Sequence, residues 1–213
     1  MTETVTNHRE IGRPRSFHDE TIFRATGTVL SQVGNENITL AMIAGVVGCS
    51  APALVQRFGS KQALLKSFST WSIEQTRLRF ESEAVTHQSP LETLKARVQI
   101  PGADRPAEIF EPDGYPSTVY LHVAAWNDEA FRDLVTERTR IIEDELTRLL
   151  EQAIEAGEIS GCHPRNMAET LLTAFSGAAL QSIGMRRKPI EDRLVDLVDI
   201  LLKPYLTFSK PAA

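Results

Sequence analysis

The chain has 213 residues, 42% apolar, 24% charged and 7% aromatic, the make-up of a globular protein rather than a disordered or fibrous one. At this length a core can be buried without covalent staples. The two cysteines, Cys49 and Cys162, stand far apart with no Cys or His at ligand spacing, which argues against a zinc site or a disulfide framework. No run approaches the roughly 18 apolar residues of a membrane span, and residues 1–15 lack the apolar centre of a signal peptide. The expectation is a cytoplasmic protein without cofactor or metal. Net charge is −5, distributed unevenly: residues 1–66 carry +2 and the remainder −7. A small basic module joined to an acidic one can bind an anion in one orientation, although solvated faces of ordinary domains often differ this much.

Residues 1–16 are too polar to fold and hold Arg13 and Arg15 in a short Gly-Arg-Pro-Arg arm. From there apolar residues recur every three or four positions, so the reading is all-α. A first helix over residues 17–33 carries Ile22, Ala25, Val29 and Val33 and ends at Gly34 and Asn35. Thr39 caps a short second helix with Leu40, Ile43, Ala44 and Val47, broken by Gly48. Ser50 caps a third, barely two turns long, with Pro52 in its first turn, where a missing N–H costs nothing. Gly59 stops it, Ser60 caps again, and a longer helix runs over residues 61–80.

Two short helices joined by a glycine turn form a helix-turn-helix pattern, which also occurs as a generic helical hairpin. In the DNA-binding version the second helix enters the major groove, about 12 Å wide. Here that helix spans residues 51–57, with Leu54 and Phe58 inward on Ile43, Ala44 and Val47. Ser50, Ala51, Ala53, Gln56 and Arg57 are expected to face outward.

Further helices are expected over residues 90–99, 118–126, 128–155, 164–183 and 190–208. Residues 100–117, with four prolines and two glycines, should be loop. The five histidines show no metal-ligand spacing and no phosphate-binding glycine loop occurs. Gly48-Cys49-Ser50 lacks the preceding strand that a serine nucleophile turn requires. Catalysis is therefore not expected.

The head resembles the TetR family of transcriptional regulators. The resemblance rests on Gly34, Thr39, Ile43-Ala44, Val47-Gly48-Cys49-Ser50, Phe58 and Ser60-Lys61-Gln62-Ala63-Leu64-Leu65, about 45 residues in all. It implies phosphate contacts from Thr39, Arg57 and Lys61, and base contacts from Ser50, Ala51, Ala53 and Gln56. Gln can pair with adenine, and alanines can meet thymine methyls. Arg13 and Arg15 could enter a minor groove, or touch only phosphates as a loose tail. Two positions depart from the family pattern: Val55 replaces the usual aromatic, and Ala41 leaves the second helix without a long polar side chain.

A weaker resemblance covers Glu155-Ala156-Gly157-Glu158-Ile159 and the following helix. It implies that the last two helices build a four-helix homodimer bundle, with Ala174, Gly177 and Ala178 permitting close approach; an intrachain pair is the alternative. The family pattern also implies a ligand pocket. Phe110, Tyr120, His122, Trp126 and Phe175 are the candidate lining residues, and Trp71 and Phe80 fall in the same stretches; core packing is the alternative. The implied organisation is an arm (1–16), a helix-turn-helix DNA-binding domain (17–66) and a larger C-terminal helical ligand-binding and dimerisation domain (67–213). Such a protein would be a regulator, more readily a repressor, that binds palindromic operator DNA as a homodimer and is released by a small, largely apolar effector. The competing reading is a helical small-molecule-binding or catalytic protein with a vestigial helix-turn-helix.

Overall fold

The computed structural model describes residues 17–82, 89–99, 122–126, 128–184 and 190–207. It is all-helical, and among the described residues the only β-type pairing is an isolated bridge between Ile159 and Leu206. The helices are α1 (Asp19–Asn37), α2 (Leu40–Val47), α3 (Ala51–Phe58), α4 (Lys61–Ser82), α5 (Pro90–Gln99), α6 (Glu129–Glu155), α7 (Pro164–Gly184) and α8 (Ile190–Leu202). Residues 122–125 form a further helical turn.

The head is punctuated as its sequence dictates. Asp19 and Glu20 place negative charge on the first turn of α1, where the helix dipole favours it. The Thr39 hydroxyl accepts from the Met42 N–H (3.2 Å), that of Ser50 from Ala53 (3.4 Å) and that of Ser60 from Ala63 (3.1 Å), so three successive helices start on a side-chain cap. Gly48 adopts φ 80°, and the N–H groups of Gly48 and Cys49 both close on the Ala44 carbonyl at 2.9 Å. Gly34, at φ 72°, interrupts the helical backbone, but one further turn of α1 follows it.

Two hydrophobic clusters organise the chain. The head cluster gathers Ile22, Phe23, Val29 and Leu30 of α1, Ile43 and Val47 of α2, Leu54 of α3, and Leu64, Leu65 and Phe68 of α4. It does not stop with the head, because Ala125 and Phe131 are buried in it and Trp71, Leu134 and Val135 pack against it. The body cluster is built by α5, α6, α7 and α8 around Leu94, Leu149, Leu150, Leu171, Val198 and Leu202. Helix α6 belongs to both, with Phe131 in the head cluster and Leu149 and Leu150 in the body cluster.

The turn after α6 is a Schellman cap: Gly157 sits at φ 72°, its N–H bonds the Ile154 carbonyl (2.9 Å), and the Glu158 N–H bonds that of Ala153 (2.8 Å). The last helix is shorter than its apolar stripe predicts. α8 ends at Leu202, and Lys203–Tyr205 tighten into a 3-10 turn, because Pro204 has no N–H to donate and its ring crowds the preceding turn. The extended chain beyond it is sewn to the α6–α7 turn by Ser160 N–H to Tyr205 O (2.8 Å) and Thr207 N–H to Glu158 O (2.9 Å).

Candidate nucleic-acid interface

The α2–α3 pair turns through 107°, within the range that defines a helix-turn-helix. Leu54 is the fully buried anchor of α3, while Phe58 packs at the cluster's edge with its ring 5.9 Å from that of Phe23. These contacts fix which side of α3 faces outward. Ala51, Leu54 and Phe58 lie inward at i, i+3 and i+7; at 100° per residue the opposite crest is formed by Pro52, Ala53 and Gln56, all exposed. Ala51, expected among the base-facing residues, is half-buried against the head cluster instead. It shares the helix face of Leu54, and Pro52 takes the outward place that sequence reasoning gave to it.

The expected phosphate-contacting residues have protein partners as well. Arg57 is exposed on the flank of α3, but its Nε lies 2.7 Å from the Asp19 carboxylate and its guanidinium donates to the Phe17 carbonyl. Lys61, half-buried at the start of α4, donates from Nζ to the Ile38 carbonyl at 3.2 Å, tying α4 to the residue that precedes Thr39. An ammonium group carries three donors, so one such bond does not exhaust it. Thr39 and Ser50 are exposed N-caps. Arg13 and Arg15 lie outside the described residues.

One signal was present in the sequence but is noticed only once α2, α3 and the start of α4 are seen as one surface. From Asn37 to Ile73 there is no acidic residue, in a chain with 28 of them, while Arg57, Lys61 and Lys66 fall inside that stretch. These helices therefore set no carboxylate of their own against a polyanion, and the neighbouring Asp19 of α1 is paired with Arg57.

The aromatic candidates for a ligand pocket go to separate surroundings. Phe110 and Tyr120 lie outside the described residues, as does the proline-rich stretch 100–117. Trp71 packs in the head, 5.7 Å from the ring of Phe23, and the ring of Phe80 lies under the Arg97 guanidinium at 5.3 Å. Phe175 is buried in the body cluster. His122 is exposed and Trp126 is 83% exposed, so the structure does not bring Trp126 and Phe175 into one cavity.

Polar links tie α4 to α6 and to the residue that caps it. Gln62 in the first turn of α4 donates to the Asp128 carboxylate (2.7 Å), whose other oxygen caps α6 by accepting from the Ala130 N–H (2.9 Å). About four turns further along α4, Arg77 pairs with Glu137 of α6. The Arg77 hydrogen bond, helped by Arg140, holds the Glu137 carboxyl below its ordinary value. Deeper still, Arg97 of α5 is 5% exposed with its Nε 3.0 Å from Glu145, a carboxylate also gripped by Arg148 at 2.8 Å. No group of metal-ligating side chains occurs among the described residues.

The sequence matches no protein-family model and no curated protein. Solved structures do match over nearly the whole chain. A transcriptional regulator from Saccharomonospora viridis in complex with choline aligns at TM-score 0.76 and 15% identity, covering 90% of this chain and 98% of its own. A TetR transcription regulator from Haloarcula marismortui ATCC 43049 aligns at 0.73 and 19%, covering 89% and 98%. A TetR-family regulator from Agrobacterium tumefaciens aligns at 0.70 and 20%, covering 89% and 97%. The chain has the TetR-family fold.

Within that TetR fold, the last two helices leave apolar groups uncovered. Leu180 of α7 and Ile200 of α8 are 61% and 66% exposed, and a Cβ built on Gly177 meets nothing within 4 Å. No single described helix is long and apolar enough to cross a membrane.

Proposed function

We propose that the chain is a TetR-type transcriptional regulator that binds palindromic operator DNA as a homodimer and acts as a repressor released by a small, largely apolar effector. The observation that carries this reading is the α2–α3 pair: a 107° helix-turn-helix whose second helix presents an exposed crest, with no acid on α2, α3 or the first turns of α4. Thr39, Arg57, Lys61 and the Arg13–Arg15 arm supply phosphate contacts in this reading. Ala53 and Gln56 lie toward the bases, Ser50 holds the start of α3 beside them as its cap, and Ala51 supports the helix from behind.

Dimerisation through α7 and α8 covers Leu180, Ile200 and the open side of Gly177. Two-fold symmetry then sets two α3 helices about 34–36 Å apart, one turn of duplex. The effector site lies in the C-terminal domain, with Phe110, Tyr120, His122, Trp126 and Phe175 as its candidate residues. Helix rearrangement on binding would have to order the exposed Trp126. The choline complex of the Saccharomonospora viridis neighbour is a precedent for a small molecule held by this fold. Signal reaches the head through the Gln62–Asp128 bond and α4. An effector moves the equilibrium only by its difference in affinity for the DNA-competent and released forms.

Selection of duplexes from a random library by the full-length protein tests this reading. The expected result is a palindromic consensus whose half-site centres are one helical turn apart. Enrichment of no duplex at low salt would overturn it.

A further inference from the structure

The crest of α3 says which base edges it can read. The four bases offer distinct groups in the major groove: guanine two acceptors, cytosine an amino donor, adenine an acceptor and a donor, thymine an acceptor and a methyl group. Guanine is read by a bidentate Arg or Lys and cytosine by a carboxylate.

Neither kind of reader stands on this crest. No carboxylate occurs between Asn37 and Ile73. Arg57, the one cation on α3, points back to Asp19 and the Phe17 carbonyl, and Lys61 reaches the Ile38 carbonyl from the next helix. The Ser50 hydroxyl is turned onto the Ala53 N–H as a cap. What remains outward is Pro52 and Ala53 in the first turn, the part of a reading helix that comes nearest the bases, with Gln56 one turn on and Val55, 46% exposed, at the flank.

We propose that each half-site is read chiefly through the 5-methyl groups of thymine, met by Pro52 and Ala53, with the Gln56 amide pairing to adenine as the single polar reader. The surface suits this partner: its crest is apolar, α3 itself carries no acid, and the Asp19 carboxylate of α1 at its flank is already paired with Arg57. The consequence is an A·T-dominated contact zone in the operator. This inference rests on the DNA-binding reading above and narrows it to a base chemistry.

Uracil in place of thymine preserves base pairing and removes only the methyl group, which makes it a clean probe. Duplexes recovered by selection are resynthesised with each thymine in turn replaced by uracil, and affinity for the full-length protein is measured at one salt concentration. The expected result is a loss of about fourfold, the factor for burying one methyl-sized group, at one or two thymines per half-site. Ala53→Ser, which keeps the helix, flattens the contrast at one of those positions, and Pro52→Ala does so at its neighbour. Equal affinity for every thymine and uracil duplex would overturn the proposal while leaving DNA binding intact. Failure to enrich any duplex in the first step would instead remove the reading on which it rests.

Discussion

Head and body solve the problem of polar groups in opposite ways. In the head, small hydroxyls close the ends of short helices, acids are absent from α2, α3 and the start of α4, and the outward crest of α3 is left nearly uncharged. The body is laced with ion pairs, and Arg97, Glu145 and Arg148 carry charge into the region where α5 meets α6. Carboxylates on a surface repel a polyanion, so their absence from α2 and α3 suits the proposed DNA contact, whereas a bundle of long helices can use them to fix how its members pack. The head should therefore fail through lost packing and lost caps, and the body through stranded charge.

The largest effect is expected in the body. Glu145→Ala removes the buried carboxylate shared by Arg97 and Arg148, and loss of one partner of a buried pair costs about 3–5 kcal/mol. Denaturant unfolding should show it as a lower midpoint, and a loss of less than about 1 kcal/mol, the range of exposed pairs, would mean that the pair is solvated in practice. In the head, Leu54→Ala opens the core beneath α3 and should cost about 2–5 kcal/mol. Duplex binding should fall with it, whereas Glu145→Ala should leave the duplex preference of the folded fraction unchanged. Ser50→Ala removes the α3 cap and should cost about 1 kcal/mol, read in the same unfolding experiment.

The smallest effect separates the regions by pH. Glu137 is held below its ordinary value by Arg77 and Arg140, so its contribution is complete above the usual carboxylate range and is lost as pH falls through the folded-state value. Arg77→Ala should therefore shrink a small acid-side loss of stability, with Arg140 retaining part of it. An unchanged acid limb would show that this exposed pair contributes nothing measurable.

The sequence makes much of the head legible because its punctuation is local. Thr39, Ser50 and Ser60 with Gly34, Gly48 and Gly59 mark each boundary within a few residues, and the bend between α2 and α3 follows from the Gly48 turn. The phase of α3 was harder. Ala51 belongs to the first turn, where one residue's rotation decides between core and surface, and an alanine looks the same in either place. The apolar stripe of α8 runs past Pro204 without a change of period, so periodicity alone extends the helix beyond its end at Leu202. The Arg97–Glu145 pair escaped for a different reason: periodicity assigns charged positions to solvent, and burial of such a pair is decided by helices distant in sequence. The Gln62–Asp128 bond likewise joins residues 66 positions apart.

The central claim is that the head binds duplex DNA through the α2–α3 surface, and the salt dependence of that binding tests it most directly. Affinity for a selected duplex should fall linearly on a log–log plot against salt, and Lys61→Ala should weaken all duplexes alike while reducing the slope by about one. Binding that ignores salt, or a slope that Lys61→Ala leaves unchanged together with full affinity, would contradict the account.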